Sequence, residues 1–82
     1  MHNPKFTQED QKYFNAIGNE LYHQRQKSKK ALSAVAQEVG ISASYLARIE
    51  KGAVKRLKVG VFNNLCLYYK VSPVKVFAIQ IK

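Results

Sequence analysis

The sequence predicts a compact, all-α domain of five helices, and three observations support this. Apolar residues recur at i, i+3, i+4 and i+7 in successive stretches, which is the spacing of helices with one buried face. Glycine, serine or proline separates most of these stretches, as expected at helix ends. The chain has 82 residues, enough for a single modest core. We therefore assign residues 1–82 to one domain.

Helix one is expected to begin after Thr7, which lies three residues before Asp10 at the spacing of a capping box. It should run to about Lys27 and bury a stripe formed by Phe14, Ile17 and Leu21. Residues 1–7, "MHNPKFT", are expected to form a flexible arm.

Residues 32–51 are predicted to form two short helices joined by a tight turn. Helix two, "LSAVAQEV", should end at Gly40, because glycine adopts positive φ at low cost. Ser42 is a natural cap for helix three, and Gly52 should end that helix. Ala36 is small, which allows helix three to cross close to it.

Two further helices complete the chain. Helix four carries a stripe of Phe62, Leu65, Cys66 and Tyr69, but its start lacks a good cap. Helix five should begin with Ser72 as cap and Pro73 in the first turn. Because Phe77, Ile79 and Ile81 alternate, a short C-terminal strand remains an alternative for the last residues.

The charge of the chain favours a polyanionic partner. Fourteen Lys and Arg residues stand against five Asp and Glu, a formal net charge of +9. The single cysteine, Cys66, is expected to be a buried thiol, and His2 and His23 do not make a zinc set. The sequence offers no nucleophile with a base and no paired acids, so we expect no enzyme, no cofactor and no small-molecule ligand. With no apolar run or signal peptide, we expect a cytoplasmic chain and no membrane partner.

The outer side of helix three is unusually low in profile. Leu46 and Ile49 should point inward, which leaves Ala43, Ser44, Ala47, Arg48 and Lys51 facing outward. A helix with small side chains and one guanidinium fits a DNA major groove about 12 Å wide, where bulk would keep the backbone away from the bases. The alternative is an ordinary solvated helix face.

The stretch "VAQEVGISASYLARIEKG", Val35 to Gly52, resembles the phage-repressor, Cro-like (XRE) helix-turn-helix domains. The resemblance continues through "YYKVSPVKVF" and covers roughly Ile17 to Phe77. It implies a five-helix, lambda-repressor-like domain that binds operator DNA, usually as a dimer, with helix three in the major groove. The base-facing positions of the family fall on Ala43, Ser44 and Arg48, and we add Ala47 from the same face.

The resemblance also assigns supporting roles. Leu32 stands where the family usually has a glutamine that binds a phosphate, so Ser33 or a lysine of "KSKK" is expected to replace that contact. An arginine late in helix one pairs in the family with the glutamate of "RIEKG", which here implies an ion pair of Arg25 and Glu50. The remaining phosphate contacts are expected from residues around helix three: Ser42, Lys51, Lys55, Arg56 and Lys58. A role for these cations in solubility alone is the alternative.

Together these features predict a sequence-specific regulator of transcription, a repressor that binds a palindromic operator on double-stranded DNA as a homodimer. Residues 72–82 are the expected dimerisation segment, because only the end of the chain offers spare apolar surface: Val74, Phe77, Ile79 and Ile81. Helix-on-helix packing and strand-edge pairing both remain open there. The alternative function is an antitoxin or an adaptor that uses the same fold mainly to hold a protein partner.

Overall fold

The computed structural model describes residues 8–54 and 57–76, with side chains described from Gln11 onward. Within these ranges the chain is helical and contains no strand. The helices are α1 (Gln8–Ser28), α2 (Leu32–Val39), α3 (Ala43–Glu50) and α4 (Val59–Tyr69). Residues 73–76 are again helical and form the described part of α5. The all-α prediction is confirmed, and the possible strand over residues 77–81 lies outside the described residues.

Local chemistry explains where most helices end. Gly40 caps α2 at φ 80°, and the amide of Ile41 donates to the Ala36 carbonyl at 2.9 Å. Gly52 has φ 71°, and the amide of Ala53 returns to the Arg48 carbonyl at 2.8 Å. The start of α4 is different, because its N-cap residue, Lys58, makes no side-chain capping bond. Tertiary packing must therefore fix that end.

The core lies between two helix pairs. Helices α1 and α2 each pack against both α3 and α4, and every described element contributes at least one buried residue. The buried apolar side chains are Ile17, Leu21, Val35, Ala36, Leu46, Ile49, Val54, Phe62, Leu65, Cys66 and Val76. Val76 shows that α5 docks on this core, since its side chain is only 2% exposed. A hydrogen bond from the Tyr68 hydroxyl to Glu38 Oε2, 3.0 Å, adds a polar link between α4 and α2.

Candidate nucleic-acid interface

The turn between α2 and α3 is held by local hydrogen bonds. The hydroxyl oxygen of Ser42 accepts from the amide of Tyr45 at 3.1 Å, which caps the first turn of α3. The hydroxyls of Ser42 and Ser44 lie 3.4 Å apart. This cap fixes the exposed N-terminal turn of α3, the part of the helix that would enter a groove first.

Helix α3 separates a buried face from an open one. Leu46 and Ile49 are almost fully buried, whereas Ser44 and Arg48 are exposed. The guanidinium carbon of Arg48 lies 5.8 Å from the centre of the Tyr45 ring, one turn earlier on the same helix. Within the described residues Arg48 has no acidic partner. Its donors are therefore available to an external acceptor.

The two alanines of the expected base-contacting set lie less far out than the outer-face prediction implied. Ala43 is partly buried and packs against the core. Ala47 is also partly buried, and it lines a hollow of about 240 Å³ between α1, α2 and α3, together with Leu32, Tyr22 and Lys51. The cause is the close approach of α1 and α2 to α3, which covers the sides of the short helix. Ser44 and Arg48 form the exposed centre of the face.

Arg25 and Glu50 are brought together beneath this face. The Arg25 Nε donates to Glu50 Oε2 at 2.8 Å, and its Nη2 donates to Oε1 at 3.0 Å. The side chain of Glu50 is only 5% exposed and that of Arg25 is 13% exposed. The hydrogen bond to Glu50 raises the pKa of Arg25, although burial acts against it. This bidentate pair ties the end of α1 to the end of α3.

Arg25 has two further contacts that fix its position. Its Nη1 donates to the Lys30 carbonyl at 3.0 Å, in the connection that leads to α2. Its guanidinium carbon lies 5.5 Å from the centre of the Tyr22 ring. One side chain thus links α1, the connection to α2 and α3.

The expected phosphate contacts are placed only in part. Ser33 in the first turn of α2, Lys51 at the end of α3 and Lys58 before α4 are exposed, and Ser42 is exposed as the α3 cap. Lys55 and Arg56 lie outside the described residues, as do residues 1–7. Of the expected dimerisation segment, Val74 is 76% exposed, whereas Phe77, Ile79 and Ile81 lie outside the described residues.

Two close contacts that position α3 were not predicted from the sequence. A Cβ atom on Gly18 would overlap the carbonyl oxygen of Ile49, so the absence of a side chain lets α1 and α3 pack backbone to backbone. Gly52 likewise lies against Asn15 of α1, and the Gln11 amide donates to the Gly52 carbonyl. The only sequence signal was a glycine inside the stripe of helix one, which costs helix stability and so implies a packing role.

The expectation that only the end of the chain offers spare apolar surface was wrong. Val59 is 73% exposed and Leu67 is 75% exposed, both on α4. The stripe of Phe62, Leu65 and Cys66 faces the core, whereas Leu67 lies on the far side of the helix and Val59 stands at its exposed start.

The described part of the chain contains neither a metal-binding group of side chains nor a membrane-spanning helix. Its His, Cys, Asp and Glu residues form no group of three or more that could hold a metal ion. Among the helices described, none has the length and apolar content required to cross a bilayer.

Comparison with known protein families identifies a match over most of the chain. A family model described as a helix-turn-helix domain covers residues 16–77, which include all of α2, the turn and α3. Neither a curated protein nor a solved structure matches the chain.

Proposed function

Because the chain belongs to the helix-turn-helix domain family, we propose that it is a sequence-specific regulator of transcription of the phage-repressor, Cro-like type. It would act in the cytoplasm as a repressor, bind a palindromic operator on double-stranded DNA as a homodimer, and perform no catalysis. Helix α3 would lie in the major groove, with Ser44 and Arg48 at the base edges and Ala43 and Ala47 beside them.

The observation that carries the proposal is the exposed guanidinium of Arg48 on a capped, low-profile helix. A planar guanidinium forms two parallel hydrogen bonds to the O6 and N7 atoms of guanine, the commonest specific base contact. The Tyr45 ring restricts the arginine side chain before binding, which reduces the entropy lost on contact. The net charge of +9 supports the same assignment, since it attracts the phosphate backbone.

Selection of bound sequences from a random DNA pool is the direct test. We expect a preferred palindrome with two half-sites about 34 Å apart, one helical turn. Arg48→Ala should then lower specific affinity by about 1 to 3 kcal/mol and relax the preference at one base pair of each half-site. Lys51→Ala is the matched control, because loss of a phosphate contact should weaken binding to all sequences alike. If Arg48→Ala kept the base preferences intact, Arg48 would be a phosphate contact.

An adaptor or antitoxin function is the second candidate, favoured by the exposed apolar residues Val59, Leu67 and Val74. The two functions differ in their behaviour on DNA. An adaptor would bind a random duplex weakly, lose that binding as salt is raised, and enrich no sequence in the selection. Enrichment of one sequence would exclude it as the main function.

A further inference from the structure

Helix α4 has one face that the described chain leaves uncovered. Its inner face, with Phe62, Leu65 and Cys66, is buried in the core. Outside that buried face, Val59 at the start of the helix and Leu67 near its end are 73% and 75% exposed, and Asn63 between them is exposed. These three residues follow one another at i, i+4 and i+8, so they form a single ridge along the helix. We call Val59, Asn63 and Leu67 the outer ridge.

The charge pattern favours a second copy of the chain on this ridge. Helix α4 is the only one of α1 to α4 that contains no Asp, Glu, Lys or Arg. The chain as a whole carries +9, so most surfaces of two copies would bring like charges together. The outer ridge itself carries no charge, and the exposed cations nearest to it, Lys58 and Lys70, stand at the two ends of the helix.

The ridge is also complementary to itself. When two α4 helices pack antiparallel about a two-fold axis at Asn63, the Val59 of one copy faces the Leu67 of the other. The two Asn63 amides meet on the axis, and each amide has both donors and an acceptor for the other. A polar pair at the centre of an apolar contact fixes the register.

A cavity next to the ridge provides space for the exposed leucine. It has a volume of about 310 Å³ and an apolar lining that includes Val59, Phe14, Ile17 and Phe62. Asn63 and Pro73 also line it, so the cavity joins the ridge to the start of α5. In the antiparallel arrangement the partner's Leu67 would lie over Val59, at the rim of this cavity. Each copy thus contributes one projecting side chain and one recess.

We propose that two copies of this chain associate through the outer ridge of α4, antiparallel, with Asn63 on the two-fold axis and each Leu67 beside the partner's cavity. This gives a contact surface to the homodimer suggested under the proposed function, on which it rests, and it differs from pairing through residues 72–82 alone. The shared lining by Pro73 makes the exposed Val74 at the start of α5 a neighbouring part of the same interface.

Cysteine cross-linking without DNA tests the register. The chain's own thiol, Cys66, is fully buried and burial raises its pKa, so it does not compete. Under mild oxidation, Asn63→Cys should give a covalent dimer. Val59→Cys and Leu67→Cys should each form no covalent dimer alone but should cross-link when mixed, because two Val59 positions lie about 12 Å apart along an antiparallel pair, beyond disulfide reach of about 7 Å. Gln37→Cys, exposed on α2, is the matched control and should not cross-link.

Leu67→Asp should abolish the cross-link of Asn63→Cys and shift the dimer to monomer in sedimentation, while binding to a single DNA half-site remains at the parental level. Two results would overturn the inference: a dimer by sedimentation without cross-linking at residue 63, or a monomer at all concentrations. Failure of the DNA selection with the cross-links intact would instead reject the proposed function and leave the interface standing.

Discussion

Among the carboxylates of the described chain, Glu50 is the one whose side chain is most tightly held by its surroundings. It is nearly buried, and both of its oxygens accept hydrogen bonds from Arg25. Glu50→Ala would leave Arg25 without its counter-charge, and breaking a buried pair in this way costs about 3 to 5 kcal/mol. We expect a loss near the lower limit, about 3 kcal/mol, because Arg25 keeps its contact with the Lys30 carbonyl. The measurement is the urea-unfolding free energy.

Glu38→Ala is the matched control for this change. Glu38 is exposed and accepts a hydrogen bond from Tyr68, so its loss should cost less than about 1 kcal/mol. The DNA affinity of the folded fraction should change little in either variant. A Glu50→Ala protein that unfolds like the parent but no longer binds DNA would place Glu50 in the interface.

Tyr69 has a buried hydroxyl with no hydrogen-bond partner in the described part of the chain. Burial, and next the negative charge of Glu50, raise the pKa of Tyr69 to about 12 from its ordinary value of 10. The folded protein therefore holds this proton more tightly than the unfolded chain. The resulting stabilisation is complete below pH 10 and is lost as the pH rises towards 12.

Tyr69→Phe should remove that alkaline loss. At pH 7 the variant should be at least as stable as the parent, because it deletes a buried polar group that has no described partner. The difference in unfolding free energy between variant and parent, measured at several values from pH 8 to 11, cancels the titration of the lysines. A difference that does not change with pH would contradict the raised pKa.

Elements whose ends depend on neighbouring residues were predicted well from the sequence. The cap at Ser42 and the glycines at positions 40 and 52 act on residues only a few positions away, so the local sequence is enough to predict these helix ends. Features that depend on distant partners were not predictable. The outward Val59 and Leu67 could not be identified before the packing of α4 was known, and the partly buried state of Ala47 depends on Leu32 and Tyr22. The expected sites at Lys55, Arg56 and Phe77 remain predictions.

The crossing of α1 and α3 depends on Gly18. A methyl group there would meet the backbone carbonyls of Ile49 and Glu50, which cannot move as a side-chain tip can. Gly18→Ala should therefore force the helices apart and lower stability by about 1 to 3 kcal/mol, even though alanine is the better helix former. Thermal unfolding monitored by circular dichroism measures this loss.

Gly60→Ala is the control at the same level of structure. Gly60 lies in the first turn of α4 and its missing Cβ would meet no described atom within 4 Å. Alanine there should leave stability equal or raise it by about 0.5 to 1 kcal/mol, measured at concentrations where the chain is monomeric. Equal effects of both substitutions would mean that Gly18 does not mediate a close helix contact.

At the scale of the whole molecule, two exposed surfaces differ in charge. The outer face of α3 exposes Arg48, with Lys51 at the end of the helix, whereas the outer ridge of α4 carries no charge. Helices α1 and α2 lie between α3 and α4 in the packing, since each contacts both. A copy bound at α4 would therefore leave α3 free for DNA.

The net charge of +9 raises the question of whether DNA binding uses local phosphate contacts or only the overall field. Lys55→Ala combined with Arg56→Ala removes two charges next to α3 in the sequence, and it should lower the slope of log K against log salt by roughly 1 to 2. Specific and non-specific binding should weaken together.

Lys70→Asn with Lys75→Ala is the matched control: it removes the same charge from the end of α4 and from α5, and asparagine tolerates the positive φ of 59° at Lys70. We expect this second pair to leave the slope unchanged, because distant charges are screened at physiological salt. Equal slopes for the two double variants would show that only the total charge matters and that Lys55 and Arg56 bind no particular phosphate.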